Sequence, residues 1–252
     1  MTTPAREEVT VAIADGVATI TLDAPERRNA LTTATARALI AACERIDADL
    51  AVGAVVVTGA GGYFCAGGDR PTLADAGAAP ADPEQFAGMS EIYRSFARVG
   101  ELQPPTIAAI VGGAVGAGMN LALATDLRIV AADATLLSGF IPIGLHPGGG
   151  HGVLLGRTGA REAAAALGLF GQRIDGARAA ALGLAWEALP ADEVLPRAQA
   201  LAAVPAADPE LARRTAQTLR LELGPPGVSW PAALELERAS QMWSMRRKHL
   251  AG

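Results

Sequence analysis

Two glycine-rich stretches, each trailing an apolar run, can do chemistry through the backbone alone. The first reads Val55-Val56-Val57-Thr58-Gly59-Ala60-Gly61-Gly62-Tyr63-Phe64-Cys65-Ala66-Gly67-Gly68-Asp69. The second reads Thr106-Ile107-Ala108-Ala109-Ile110-Val111-Gly112-Gly113-Ala114-Val115-Gly116-Ala117-Gly118-Met119-Asn120. Glycine leaves its N–H unshielded and turns freely, so two such loops can aim N–H groups at one spot. Two donors converging on one oxygen stabilise negative charge that develops there, which is how an oxyanion hole works. The side chains offer less. Histidines 146, 151 and 249 with cysteines 43 and 65 match no metal-ligand spacing, so no metal is expected. Ser138 sits in no G-x-S-x-G elbow.

The elements that must hold these loops are legible in the pattern. Val9–Ile13 and Val17–Leu22 alternate about Asp15-Gly16 and predict a β-hairpin. Thr32 or Thr33 can cap a helix running to about Leu50, with Leu39, Ile40, Cys43 and Ile46 on one face. The continuous apolar runs at 55–58 and 106–111 predict buried strands. Residues 71–82 read as a polar connection, and Asp82-Pro83-Glu84 as a helix start. A helix begins near Gly116. Short strands follow at 127–131 and 134–137, then an irregular loop from Gly144 to His151. Beyond 150 the pattern is mostly helical: 160–169, 176–183, 191–203, 208–223 and about 230–248. The whole reads as α/β with a helical C-terminal region.

Composition narrows the partners. A formal charge of −5 over 252 residues argues against a nucleic-acid ligand, whose footprint is basic. No apolar run reaches the roughly 18 residues that cross a bilayer, and the N-terminal residues lack an apolar signal core. A cytoplasmic location with reduced thiols is the expectation.

Several of these segments, in this order and spacing, resemble the enoyl-CoA hydratase/isomerase superfamily, the crotonase fold. They are the hairpin, Pro25-Glu26-Arg27-Arg28-Asn29-Ala30-Leu31, Phe64–Asp69, Gly112–Leu121, Asp126-Leu127-Arg128-Ile129, the Gly144–Gly150 turn and Gly171–Ala179. The resemblance spans about residues 8–245. It implies a superhelix of ββα turns over residues 1–205 and a helical oligomerisation region over 206–252. It further implies a homotrimer or dimer of trimers that binds acyl-CoA thioesters, with coenzyme A as part of the substrate and no separate cofactor. By the same resemblance the oxyanion donors are the N–H groups of Gly68 and Ala117, the latter helped by a helix dipole. Arg27 and Arg28 fall where relatives meet the nucleotide end of CoA; the alternative is two solvated arginines. Ala66, Gly67, Gly68 and Asp69 line the groove through their backbone, or Asp69 simply caps the next helix.

The chain departs from the family where relatives carry catalytic carboxylates. Asn120 and Phe140 occupy the two glutamate positions of the hydratases, and Gly148 the aspartate position of some isomerases. Asn cannot take a proton, although its amide can hold a water. General acid–base catalysis supplies about 10²–10⁴-fold per group, so ordinary hydration is expected to be weak. His146 is the first candidate replacement, with His151 on the other side of the glycine turn; either can instead bond the loop backbone. Asp75, Glu84 and Glu91 are candidates that could equally be surface carboxylates. Cys65 reads as a buried small hydrophobe. Three functions compete: an enolate-forming hydratase, isomerase or decarboxylase; a non-catalytic acyl-CoA-binding homologue; and a dinucleotide-binding oxidoreductase. The last is rejected, because Tyr63-Phe64-Cys65 follows the glycines where a helix would have to open.

Overall fold

In the computed structural model, which describes residues 7–78, 82–158 and 161–224, Asp15 (φ 50°) and Gly16 (φ 75°) make the left-handed two-residue turn of a hairpin. It joins β1 (Val9–Ala14) to β2 (Val17–Leu22), paired antiparallel. Thr32 Oγ1 accepts the Thr35 N–H at 3.1 Å and starts α1 (Thr33–Ala48), which buries Leu39, Cys43 and Ile46. β3 (Ala54–Gly59) follows with Val55, Val56 and Val57 fully buried, as a strand covered on both faces requires.

From there each excursion of the chain gives one strand to each of two sheets. β4 (Thr106–Ile110), β6 (Leu127–Ala131) and β9 (Glu187–Leu189) join the larger sheet, in the order β1-β2-β3-β4-β6-β9. All its pairings beyond the hairpin are parallel. β5 (Gly113–Val115), β7 (Thr135–Leu137) and β8 (Arg173–Asp175) form the smaller sheet, in the order β5-β7-β8. The helices between and after them are α2 (Arg70–Ala78), α3 (Pro83–Gly100), α4 (Ala117–Ala124), α5 (His151–Gly156), α6 (Arg161–Gly168), α7 (Gly176–Ala181), α8 (Ala191–Ala206) and α9 (Pro209–Leu223). None of the described helices is long and apolar enough to cross a membrane.

Two sequence expectations need correction. Residues 70–78 are helical rather than a loose connection: Asp69 Oδ2 accepts the Thr72 N–H and hydroxyl at 3.3 and 3.1 Å, and Pro71 stands in the first turn, where proline is tolerated. The C-terminal part also holds β8 and β9, three-residue strands made by pairing with β7 and β6 rather than by local pattern. The expected helix over 230–248 lies outside the described residues. The boundary drawn at 205/206 meets the end of α8, and α9 returns to the core through Arg213. That guanidinium donates to the carbonyls of Ile46, Asp47, Asp49 and Val52 at the end of α1.

One close backbone approach that shapes the site is at Gly118. A Cβ there would lie 2.2 Å from the Cys65 carbonyl oxygen, which is fixed by the Val115 N–H at 3.0 Å. Gly118→Ala therefore has nowhere to relax. Urea unfolding should show a loss of about 3 kcal/mol, the upper end of overpacking costs.

Candidate active site

The loop after β3 leads into Cys65–Asp69, a segment held on both sides by isolated bridges. Toward β5, Cys65 N donates to Gly113 O at 3.1 Å, and Cys65 O accepts from Val115 N. Toward the Arg28–Leu31 segment, Ala66 N donates to Arg28 O, Leu31 N to Gly67 O, and Asp69 N to Leu31 O, at 2.7–2.9 Å. In an extended chain successive N–H groups point to opposite sides. Asp69 N–H faces Leu31, so Gly68 N–H faces the other way and meets no protein acceptor among the described residues.

The second loop delivers a similar group. Gly116 (φ 53°, ψ −117°) takes a backbone conformation that side chains disfavour and turns the chain directly into α4. Ala117 is the first residue of α4, so its N–H has no intrahelical partner. No acceptor for it occurs among the described residues either. The two loops nearly touch: a Cβ on Gly67 would lie 2.7 Å from Val115 O and 3.5 Å from Ala117 N. Two unengaged donors, one at a positive helix end, thus stand on adjoining loops.

Below them lies a buried chain of neutral side chains. Asn120 Nδ2 donates to Gly148 O at 3.0 Å, which orients the amide. Its Oδ1 faces His151 Nδ1 at 2.7 Å, and an amide oxygen can only accept, so His151 carries its proton on Nδ1. Nε2 is then bare and accepts the Ser138 hydroxyl at 2.6 Å. Asn120, His151 and Ser138 are each 2% exposed or less. Burial pushes the His151 pKa from 6.5 down to about 4. The Phe140 ring stands edge-on to His151 at 5.1 Å, and its tip reaches 3.8 Å from where a Cβ on Gly116 would be.

The other residues singled out in the sequence divide clearly. His146 is exposed, and its Nδ1 lies 2.7 Å from the Pro147 carbonyl; His151 is the histidine hydrogen-bonded to Asn120. Arg27 is engaged within the chain. Its guanidinium meets Glu8 at 2.6 Å, Glu26 at 3.0 Å, Thr35 Oγ1 at 3.1 Å and Ala30 O at 3.1 Å. Burial alone would raise the Glu8 carboxyl, but the Arg27 and threonine bonds outweigh it and hold it low. Arg28 is exposed over the Tyr63 ring, 5.6 Å from its centre, and stays available to a ligand. Asp69 caps α2. Glu91 pairs with Arg37 at 2.7 Å, while Asp75 and Glu84 line a polar cleft of about 510 Å³ between α1, α2 and α3. Burial lifts the Cys65 thiol to about 12, so it stays protonated.

Sequence reasoning passed over two residues. Ser138 lacked any motif. Asn29, buried at φ 57°, accepts the Ala24 N–H and donates to the carbonyls of Ala60 and Tyr63, stapling the first loop to its neighbour. A signal for His151 did exist. It follows three glycines, and two of them lie flush against other elements: a Cβ on Gly148 or Gly149 would sit 2.4 Å from Tyr93 or Phe96.

Known proteins with this pattern are numerous. The profile of the enoyl-CoA hydratase/isomerase family matches residues 12–221. "Probable enoyl-CoA hydratase EchA14" of Mycobacterium tuberculosis is 40% identical over 92% of this chain and 86% of its own length. The 1,2-epoxyphenylacetyl-CoA isomerase of Escherichia coli is 34% identical over 74% and 71%. The crystal structure of an enoyl-CoA hydratase from Polaromonas sp. JS666 superposes with a TM-score of 0.85 at 28% identity, covering 94% of this chain and 91% of that one.

The depressed pKa of His151 has a stability consequence with a definite sign. Above pH 6.5 the histidine is neutral whether folded or unfolded. Between 6.5 and about 4 the unfolded chain takes up a proton that the folded chain refuses, so stability falls as pH falls through that window. The contribution lost by pH 4 is about 3 kcal/mol at 1.36 kcal/mol per pH unit. Urea midpoints at pH 7, 5.5 and 4.5 should show the decline, and His151→Gln should flatten its share of it.

Proposed function

Because this chain belongs to the enoyl-CoA hydratase/isomerase family, we propose that it processes acyl-CoA thioesters by holding a thioester enolate between the N–H groups of Gly68 and Ala117. The observation that carries this reading is the pair of unengaged donors on adjoining loops, one at the start of a helix. Charge that appears on the carbonyl oxygen only as the enolate forms is stabilised there more than the ground state is, which is what accelerates a reaction. Ala66 and Gly67 form the backbone edge of the same groove. Arg28 is the cation left to meet a CoA phosphate, a task suited to its forked charge. Coenzyme A arrives as part of the substrate.

The reading favours enolate chemistry over addition of water. The Asn120 amide already serves Gly148 and His151, and Phe140 is apolar, so neither supplies a base to activate water. A shift of a double bond needs one proton removed and one returned. Decarboxylation of a malonyl-type thioester is a second reading, favoured by the apolar Phe140 wall beside the helix start. The reading extends to a trimer or dimer of trimers. On α9, Leu219, Leu221 and Leu223 are 51–74% exposed, more apolar surface than a solvent-facing helix needs.

Given crotonyl-CoA, a 3-enoyl-CoA and malonyl-CoA in parallel, the protein should hydrate the first slowly and act faster on one of the others. Ala117→Pro is the sharpest probe. Proline suits the first helical position, and there it replaces the N–H with a ring carbon. It should lower kcat about 10²–10³-fold with KM little changed; equal rates would remove this N–H from the mechanism. Sedimentation at micromolar concentration should report a trimer or hexamer, and a monomer would end the oligomer reading.

A further inference from the structure

The enolate reading leaves a question of proton transfer. Neither position at which relatives carry glutamate has a titratable group, yet an α-proton must go somewhere. The only described histidine in the interior is His151, and its hydrogen bonds set its chemistry. Asn120 Oδ1 takes the Nδ1 proton, which leaves Nε2 as a lone-pair acceptor aimed at the Ser138 hydroxyl. A nucleophile or hydroxyl, a base and a group that orients the base, each within hydrogen-bond reach, form a competent proton-transfer chain.

The chain lies close to the donors. Ser138 directly follows β7, and Gly116 directly follows β5. These strands pair Val115 with Leu137, and Gly116 N donates to Leu137 O at 3.0 Å. Ser138 therefore stands one rung across from Gly116, the residue before the Ala117 donor. Phe140, half-buried, bridges from His151 to Gly116 and covers the chain on that side.

We propose that Ser138, His151 and Asn120 are the proton-transfer chain of this enzyme, with Ser138 Oγ as the end that meets the thioester's α-carbon once the Phe140 ring turns aside. This rests on the enolate reading above. As the α-C–H bond breaks, its proton passes to Ser138 Oγ and the hydroxyl's own proton passes to His151 Nε2. The C–H electron pair forms the Cα–C double bond, and the carbonyl π pair moves to the oxygen facing Gly68 and Ala117. The imidazolium then returns the proton through Ser138, to the γ-carbon in a double-bond shift or to the α-carbon in simple exchange. No oxidant or reductant is involved. Ser138 is the catalytic residue of the chain; His151 acts through it, and Asn120 is a positioning residue that fixes the tautomer.

The test uses butyryl-CoA in deuterium oxide, following loss of the α-proton signal by NMR, with calorimetry of butyryl-CoA binding alongside. Ser138→Ala removes one atom and should fold. It should slow exchange at least 100-fold with binding within twofold. His151→Gln should do the same, and Ser138→Thr, which keeps the hydroxyl, should recover most of the rate. Wild-type binding with exchange that Ala117→Pro slows but Ser138→Ala and His151→Gln leave unchanged would overturn the chain while sparing the enolate reading. Absence of butyryl-CoA binding in the wild type would overturn the enolate reading itself. Failure of Ser138→Thr to restore exchange, with the variant folded and binding, would also count against the hydroxyl as the proton carrier.

Discussion

Between Cys65 and Asp69 the chain is held by single parallel bridges, Cys65 to Ala114 and Leu31 to Gly68, and the second of these has Leu31 N–H donating to Gly67 O and Asp69 N–H to Leu31 O. That geometry decides which N–H groups are consumed by the fold. Leu31 takes Asp69's, Arg28 takes Ala66's and Gly113 takes Cys65's. Gly68's is left over because that bridge uses the groups on either side of it and turns its own N–H away from Leu31. The fold thus leaves the Gly68 N–H without an acceptor among the described residues while its neighbours at Ala66 and Asp69 are engaged. Gly67, at φ 98°, and Gly118, against the Cys65 carbonyl, let the two loops come close enough for the Ala117 donor to stand beside it.

The second constraint is electrical. The interior beneath the loops holds hydroxyl, imidazole and amide but no formal charge, and each member has its partner. Buried polar groups satisfied in this way are stable, whereas a lone buried charge costs several kcal/mol. A carboxylate placed at position 120 could still accept the His151 Nδ1–H, but it has no donor for the Gly148 carbonyl and would set a charge in this buried pocket. Asn120 and Phe140 are thus in keeping with a neutral local network in which burial disfavours charge on the His151 imidazole.

Much of this was legible in the sequence, and the rest was not, for identifiable reasons. The hairpin, the helix capped at Thr32 and the two buried strands follow from short-range periodicity and turn chemistry, and they appear within a residue or two of where the pattern puts them. The glycine loops stood out because their unusual composition is local. By contrast, β8 and β9 exist only because β7 and β6 offer partners, so three residues of sequence carry no trace of them. The choice between His146 and His151 turned on which way a loop faces. That depends on α3 and α4 pressing against Gly148 and Gly149, contacts between residues about 30 to 55 apart. Arg27 and Arg28 are adjacent and chemically identical, and only the partnership of Arg27 with Glu8, Thr35 and Ala30 separates them.

The grip of Arg213 on the end of α1 has a meaning for how the molecule is made. Four carbonyls near residues 46–52 find their partner in a guanidinium more than 160 positions later. A chain emerging from the ribosome at about 5–20 residues per second therefore holds that corner open to water for many seconds. The hairpin, α1 and β3 can form early from neighbouring contacts, but the α1–β3 corner closes only after residue 213 has been made. Loop closure over such a separation is slow and late. During translation, then, the carbonyls at the end of α1 keep water as their partner until α9 has been made.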